Sequence, residues 1–420
     1  MTGDWVAVAA TADVTTKPRA VVVDGHRLAL VRLRPDAPAT AYHDHCPHRL
    51  VPLSAGTVDA ATGRLRCMYH GWEYTAEGNC AELPSLGPGA NVPPRAHAQA
   101  ISGVREEAGQ VWIRTDGLRP ADTRMDLLTN VDSALRRAWH PVALSSEVGN
   151  EVGNAAIQVT LVDRGWAVKR TAAGVVADPV PYGMCERWGL VWLAPEAPLI
   201  ELFDEPDAED ANYVGAWLPP SRTTAPAGFV ADNFLDVAHF PFVHAGTFGA
   251  GEEKVVPPYE VIDEPDGCRS VQEQWFDNPE DPGVAAGLRP VRQRRRATYA
   301  YRAPFQLLLR LEELDAGAVK TILFFAQPET LTSTRIYTKM LLHGIGGVDR
   351  PGPDVVAREV AFEEAVLAED LALQARVTLP GLPLNPPGEL HVRADRLGIA
   401  LRRELRRFVA RASGTPAPVA

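Results

Sequence analysis

Apolar and β-branched residues fall in short runs broken by turn signals, and few stretches carry helical spacing. Ala20–Arg32 (AVVVDGHRLALVR) and Gln110–Arg114 (QVWIR) have the composition of strands on a pleated, half-buried surface. Asp24-Gly25 interrupts the first of them with a hairpin signal. Late in the chain Tyr299–Arg302, Leu307–Glu312, Lys320–Gln327 and Arg335–Leu342 repeat the pattern and predict an antiparallel sheet. Ala231–His239 has helical propensity and an Asp/Asn start suited to an N-cap. Val356–Ala375 (VAREVAFEEAVLAEDLALQA) reads as one long amphipathic helix. The fold class expected is α+β, strand-rich, with a long helix against the late sheet.

Composition narrows this further. A chain of 420 residues is long enough for two or three domains, and 34 Gly with 36 Pro, one residue in six, exclude a coiled coil or helical solenoid. The formal net charge of −11 argues against a nucleic-acid partner. One basic run, Arg289–Arg296 (RPVRQRRR), contains a proline and lacks stacking aromatics, so it reads as a solvated loop or a docking site for an acidic donor protein. Arg402, Arg403, Arg406 and Arg407 read as the exposed face of a C-terminal helix. Met1–Ala10 lacks a signal-peptide pattern and no run approaches the ~18 apolar residues of a span, so a cytoplasmic protein without membrane contact is expected. Gly344-Ile345-Gly346-Gly347 lacks dinucleotide-site spacing, so no flavin or nicotinamide domain is expected.

Five cysteines do not suggest a disulfide framework, and Cys80, Cys185 and Cys268 read as structural. Cys46-Pro47-His48 and Cys67-Met68-Tyr69-His70 are different, because each short segment offers one thiolate and one imidazole. C-x-H with C-x₂-H suits a 2Fe–2S centre in which one iron takes two thiolates and the other two imidazoles. His43 and His45 fall outside that pattern and read as loop histidines, and His26, His97, His343 and His391 as structural. With Arg49, Leu53, Ser54, Gly56, Gly71, Trp72, Gly78 and Pro84, the segment resembles a Rieske domain, expected over residues 1–118 as an all-β module.

A second, shorter echo follows. Trp5–Ala9 is matched by Trp139–Ala143, Leu28–Arg32 by Trp166–Arg170, and Glu106–Ile113 by Glu186–Leu193. The offset drops from 138 at the second match to 80 at the third, a loss of 58 residues from the span that holds all four cluster ligands. Residues 138–200 therefore read as a degenerate, metal-free Rieske-like repeat. Short β segments matching by composition alone are the alternative.

His239 and His244 are five apart, roughly 140° around a regular helix and too far apart to grip one ion. Pro241 resolves this by starting a new segment that turns His244 back. Two such histidines make two-thirds of a 2-His-1-carboxylate iron site. Asn233, Asp236, His239 and His244 resemble the N-x-x-D-x-x-H-x₄-H motif of Rieske non-haem iron oxygenases, and Gly246-Thr247-Phe248-Gly249 resembles the phthalate/vanillate-type, α-only branch. For the third ligand, helical periodicity leaves Glu369 and Asp370 both open, while Glu359 and Glu363 read as a solvated face. The family pattern, an acidic pair followed by Leu379-Pro380, favours Asp370.

The resemblance implies more. It implies a helix-grip (START-like) catalytic domain over residues 201–420. It gives Asp236 the role of bonding His239 and reaching His70 of a neighbouring subunit, the two sites of one chain lying too far apart, and hence a head-to-tail homotrimer. Electrons from NAD(P)H would arrive through a separate ferredoxin or reductase and pass to iron(II), where O₂ and a small-molecule substrate meet. Monooxygenation, as hydroxylation or oxidative O- or N-demethylation of an aromatic or cyclic metabolite, is the expected chemistry. Cis-dihydroxylation is the runner-up. A non-catalytic electron carrier and a structural zinc protein are the rival classes.

Overall fold

The computed structural model describes residues 4–118, 125–149, 155–279, 281–385 and 389–414. The first module has two three-stranded sheets and a lobe. Its strands are β1 (Trp5–Ala10), β2 (Arg19–Val23), β3 (His26–Arg32), β4 (Ala39–His43), β5 (Thr57–Asp59), β6 (Arg64–Arg66), β7 (Glu73–Tyr74), β8 (Cys80–Glu82), β9 (Val104–Glu107) and β10 (Gln110–Arg114). They pair as β1-β10-β9, β2-β3-β4 and, in the lobe, β5-β6-β7-β8. Asp24-Gly25 turns β2 into β3 with both residues at positive φ, as its sequence demands.

After β11 (Leu127–Thr129) come β12 (His140–Leu144), β13 (Ile157–Leu161), β14 (Arg164–Thr171), β15 (Gly174–Asp178), β16 (Gly183–Arg187) and β17 (Leu190–Ala194). These pair as β12-β17-β16 and β13-β14-β15, with no lobe between. The remainder is built on an eight-stranded antiparallel sheet. Its strands are β18 (Val214–Trp217), β19 (Ser221–Thr223), β20 (Ile262–Glu264), β21 (Gly267–Asp277), β22 (Arg292–Arg302), β23 (Gln306–Glu313), β24 (Ala318–Thr330) and β25 (Ser333–His343). β26 (Gly381–Pro383) pairs with β11 and ties the far end of the chain back to the start of this region.

One apolar cluster runs through all three regions, from Trp72 of the lobe through Trp166 to Phe408. Trp72, Trp166 and Trp192 are fully buried. An indole removes about 150–250 Å² from water, ~4–6 kcal/mol at ~25 cal/mol per Å². The fold is α+β as expected, and no helix among the described residues is long and apolar enough to cross a membrane.

Four local expectations need correction. The helix expected over 231–239 spans Ala227–Leu235, behind Pro226 rather than an Asp/Asn cap, and stops before Asp236. The run Arg289–Arg296 is largely strand β22, and Arg289, Arg292, Arg294, Arg295 and Arg296 each face a carboxylate within 4.0 Å, so it offers no unbalanced positive patch. Arg402 is buried, bonding Asp232 at 2.7 Å and Glu389 at 3.1 Å. It lies on the packed face of helix Arg396–Ala412, and sequence spacing could not show the partner 170 residues away. The face of helix Pro353–Gln374 bearing Glu359 and Glu363 is not fully solvated: Glu359 holds Lys320 at 2.5 Å, and burial pushes the Glu363 carboxyl up.

Candidate metal centres

Two loops of the same shape present the first donor set. In one, Cys46 N–H donates to Val51 O and Leu50 N–H to Cys46 O; in the other, Cys67 N–H donates to Trp72 O and Gly71 N–H to Cys67 O. The turn residues Leu50 and Gly71 both have positive φ. At Gly71 a side chain has no room, since a Cβ there would lie 2.1 Å from the Phe242 ring. These loops bring Cys46 and Cys67 within hydrogen-bonding reach of each other and set the His48 and His70 rings 4.3 Å apart. All four side chains are buried.

Each imidazole has its outer nitrogen taken by a carboxylate of the C-terminal region. His48 Nε2 is 2.9 Å from Asp395 and His70 Nε2 is 2.8 Å from Asp236. His48 Nδ1 is buried without a partner among the described residues. Two adjacent thiols, and imidazoles whose second nitrogens are fixed by carboxylates, suit a 2Fe–2S cluster with Cys₂His₂ ligation. Burial lowers the His70 pKa to about 4 despite Asp236, which favours the neutral, ligating form. Arg49 completes the contact, reaching Asp395 at 3.2 Å and Asp232 at 3.5 Å in a fully buried ion network. Sequence reasoning missed Asp395 entirely. It lies 347 residues from His48, at the start of the last helix, where its spacing signals only a cap.

The second donor set sits at a chain bend. His239 and His244 flank the one-turn helix Phe240–Val243, with Pro241 in its first turn, so the histidines meet where a continuous helix would hold them apart. His239 Nε2 and His244 Nε2 are 3.0 Å apart, and Asp370 Oδ1 lies 3.6 and 3.5 Å from them. Ligand atoms ~2.1 Å from a first-row metal at right angles to each other lie about 3.0 Å apart. Asp370 Oδ1 is buried and has no hydrogen bond among the described residues, as expected of an atom aimed at an ion. His239, His244 and Asp370 are the one group among the described residues with this convergence.

The open choice between Glu369 and Asp370 is separated by geometry. Glu369 lies on the other side of the ring, 3.0 Å from His244 Nδ1, and also accepts from Thr247 Oγ1 at 2.7 Å and Gly246 N–H at 3.0 Å. It orients the histidine while Asp370 faces its Nε2. Asp236 lies 3.8 Å from His239 Nδ1, in ion-pair range. Burial disfavours a charged His239, yet Asp236 and Asp370 push its pKa up to about 9. A divalent cation among these donors takes the place of that proton. Asn233 is tied through its Oδ1 to Gln374 at 2.9 Å, on the helix that carries Asp370.

The two centres therefore meet through Asp236 of the same chain. This corrects the expectation that they lie too far apart within one subunit. The lobe is seated on the C-terminal region by Phe242 against Gly71, by Arg49 in its carboxylate cage, and by Leu390 N–H donating to Pro47 O at 2.7 Å. The distance that implied a partner subunit is closed within the chain.

Residues 4–96 match the Rieske [2Fe-2S] domain, and residues 223–411 match the vanillate O-demethylase oxygenase C-terminal domain. The chain belongs to the Rieske non-haem iron oxygenases. It is a terminal oxygenase component, an O₂-dependent oxidoreductase using a Rieske cluster and a mononuclear iron, with electrons from NAD(P)H supplied through separate redox proteins. Among curated relatives, the probable methylxanthine N7-demethylase NdmC of Pseudomonas sp. (strain TJI-51) is 29% identical over 273 residues, 64% of this chain and 92% of that protein. Protein TIC 55 of Arabidopsis thaliana is 42% identical over 72 residues, 17% of this chain and 13% of that protein. The solved structure of Pseudomonas putida CBB5 NdmA, a QL mutant with theobromine, aligns over 98% of this chain and 92% of that one at 20% identity and a TM-score of 0.41.

Proposed function

We propose that Cys46, His48, Cys67 and His70 hold the cluster, that His239, His244 and Asp370 hold the single iron, and that the chain monooxygenates a small cyclic metabolite, removing an N- or O-methyl group or hydroxylating a carbon. Similarity to NdmC, named as a probable N7-demethylase over most of its length, favours demethylation. The observation that carries the reading is the pair of contacts at Asp236, 2.8 Å from His70 and 3.8 Å from His239. When bound, the cluster supplies single electrons and the mononuclear iron activates O₂.

The protein's own part is positioning. Asp236 accepts from His70 Nε2–H and faces His239, fixing both rings about one carboxylate. Glu369 fixes the His244 ring, and Phe248 stacks on that ring at 5.0 Å and covers it. Asn233 supports the site at one remove, through Gln374. Residues 1–118, 138–200 and 201–420 are proposed as the Rieske domain, its metal-free repeat and the catalytic domain. The head-to-tail homotrimer is proposed from the family resemblance alone, because the Asp236 contacts within one chain remove the need for a partner subunit to link the two centres, and sedimentation of the iron-loaded protein reads it directly.

Asp236→Asn tests the bridge. The variant should keep three irons and two labile sulfides per chain while O₂-driven reoxidation of the reduced cluster slows by about 100-fold or more. Reoxidation at the wild-type rate removes Asp236 from the path. Formaldehyde release from methylated substrates distinguishes demethylation from cis-dihydroxylation, which yields a diol.

A further inference from the structure

Strand alternation divides the basic run. Successive residues of β22 point to opposite faces. Arg294 and Arg296 point outward, paired with Asp315 and Glu273 at 3.2 and 2.8 Å, while Arg292 is paired with Asp277 at 3.3 Å and borders the same cavity as Arg295. Arg295 shares the inner face with Ala297 and Tyr299, and these three line a cavity of about 1070 Å³. Val237, Phe240 and Phe248 close the cavity's other end, beside the iron ligands.

Cross-strand register sorts the cavity wall into rows. Gln274, Arg295, Glu313 and Ala318 are successive partners across β21 to β24, and all four line the cavity. Two positions along is the row Gln272, Ala297, Leu311 and Lys320, and two further is Ser270, Tyr299, Leu309 and Ile322. Polarity falls from a row bearing an amide, a guanidinium and a carboxyl to one represented in the cavity by Tyr299. Four residues of strand separate the two ends, roughly 13 Å.

The polar row has unused hydrogen-bonding capacity and no surplus charge. Arg295 Nε is buried without a partner among the described residues, its nearest carboxylate is Glu252 at 3.5 Å, and its guanidinium lies 4.7 Å over the Phe276 ring. Lys320, by contrast, is held by Glu359 at 2.5 Å. Glu313 stands beside Arg295 and takes one bond from Asn278 at 2.8 Å. A substrate carboxylate reaching Arg295 would therefore meet Glu252 and Glu313 as well, and like charges brought together without water repel.

Resting on the oxygenase reading above, we propose that Arg295 and Glu313 form the specificity subsite of the cavity and select a neutral ring that presents a carbonyl oxygen beside an N–H or O–H. Arg295 donates to the carbonyl and Glu313 accepts from the adjacent donor, so the part of the substrate that carries the oxidised carbon extends from this ring along the cavity toward the metal end.

Calorimetric titration of the iron-loaded protein with 3-methyluracil, a neutral imide ring, and 4-methoxybenzoate, an anion, tests this. Wild type should bind 3-methyluracil about tenfold or more tightly than 4-methoxybenzoate. Arg295→Met should weaken 3-methyluracil by at least about tenfold, the scale of one charge-assisted hydrogen bond. Glu313→Gln should weaken it less and narrow the preference between the probes. If Arg295→Met fails to fold, Arg295→Lys, which keeps the charge but lacks Nε–H, should show the same loss. Equal or tighter binding of 4-methoxybenzoate by wild type overturns the subsite. So does absence of 3-methyluracil binding, or an unchanged affinity in a folded Arg295 variant. A wild-type protein without the cluster spectrum or the third iron overturns the oxygenase reading instead.

Discussion

The register of β1 with β10 slips between Ala7 and Ala9, and that of β12 with β17 slips between Pro141 and Ala143. The likeness between the two modules continues in detail. Arg32 grips Glu106 with two bonds of 2.8 and 2.7 Å, and Arg170 grips Glu186 with two of the same lengths. Thr11 N–H donates to Gly109 O at 2.9 Å and Ser145 N–H to Gly189 O at 2.8 Å. Trp112 Nε1 donates to Glu107 O, and Trp192 Nε1 to Arg187 O. Even the turns agree, with positive φ at Ala108-Gly109 and at Trp188-Gly189. What differs is the insertion. Between β4 and β9 the first module carries the lobe with the Cys/His loops, where the second passes from β15 to β16 through residues 179–182.

This difference separates frame from lobe. Hairpin twist, an Arg–Glu clamp and an apolar interior hold the frame in both modules without a metal ligand. The lobe has strands of two or three residues, and among its four buried Cys and His side chains His48 Nδ1 is left without a partner among the described residues. The second frame serves another purpose, as β17 is buried along its whole length while β10 is only alternately buried. Trp188 and Trp192 pack against Phe325 of the large sheet, 5.8 and 5.0 Å between ring centroids. The second module thus has a packing face against the large sheet where the first module carries its lobe.

The largest expected effect that could break this comparison comes from the thiols. Cys46→Ser should abolish the cluster spectrum, remove two irons per chain and stop turnover. Cys185→Ser, in the second module, should leave iron, sulfide and turnover at wild-type levels. Loss of iron in Cys185→Ser would contradict a metal-free repeat.

Next in size is the packing face. Trp192→Ala should cost about 3–5 kcal/mol in denaturant unfolding, the range for emptying a buried aromatic site. Trp112→Ala, at the matching but half-buried position, should cost well under half of that. Equal losses would mean that the two frames bear the same load.

The clamps should behave alike and modestly. Arg32→Met should cost at most about 1 kcal/mol, the upper range for a bidentate, partly exposed pair, and Arg170→Met should lower stability in the same direction. The arginines hold the Glu106 and Glu186 carboxyls below their usual range. The stabilisation is therefore present above the ordinary glutamate pKa of ~4.3 and is lost as pH falls through the lowered value. Stability curves of each variant and wild type should converge in acid, and parallel curves there would refute the clamp. The smallest effect is expected at the truncated loop, where Val180 is 87% exposed. Inserting Gly-Ser-Gly-Ser after Val180 should change stability by less than about 0.5 kcal/mol.

Much of this was legible in the sequence because it is local. Ligand spacing in the two Cys/His loops, the Pro241 break between His239 and His244, and the order of the repeated segments are all short-range patterns. The sheet strands were recognisable for the same reason, although β22 begins at Arg292, well before the expected Tyr299, because its arginines hide strand character behind their charge. The choice between Glu369 and Asp370 was not legible. Adjacent helical residues differ by ~100° in direction, and only the position of the His244 ring shows which carboxylate meets Nε2 and which meets Nδ1.

By itself, the sequence determined the two donor sets and the family they resemble, since each is written in residue types at fixed short spacing. Only the tertiary structure decided that His48 rests on Asp395, that His70 meets Asp236 of its own chain, and that Arg402 is buried while Arg295 faces a cavity. Those contacts join residues more than 100 positions apart or depend on which face of a strand or helix is covered. Chain order carries no record of either.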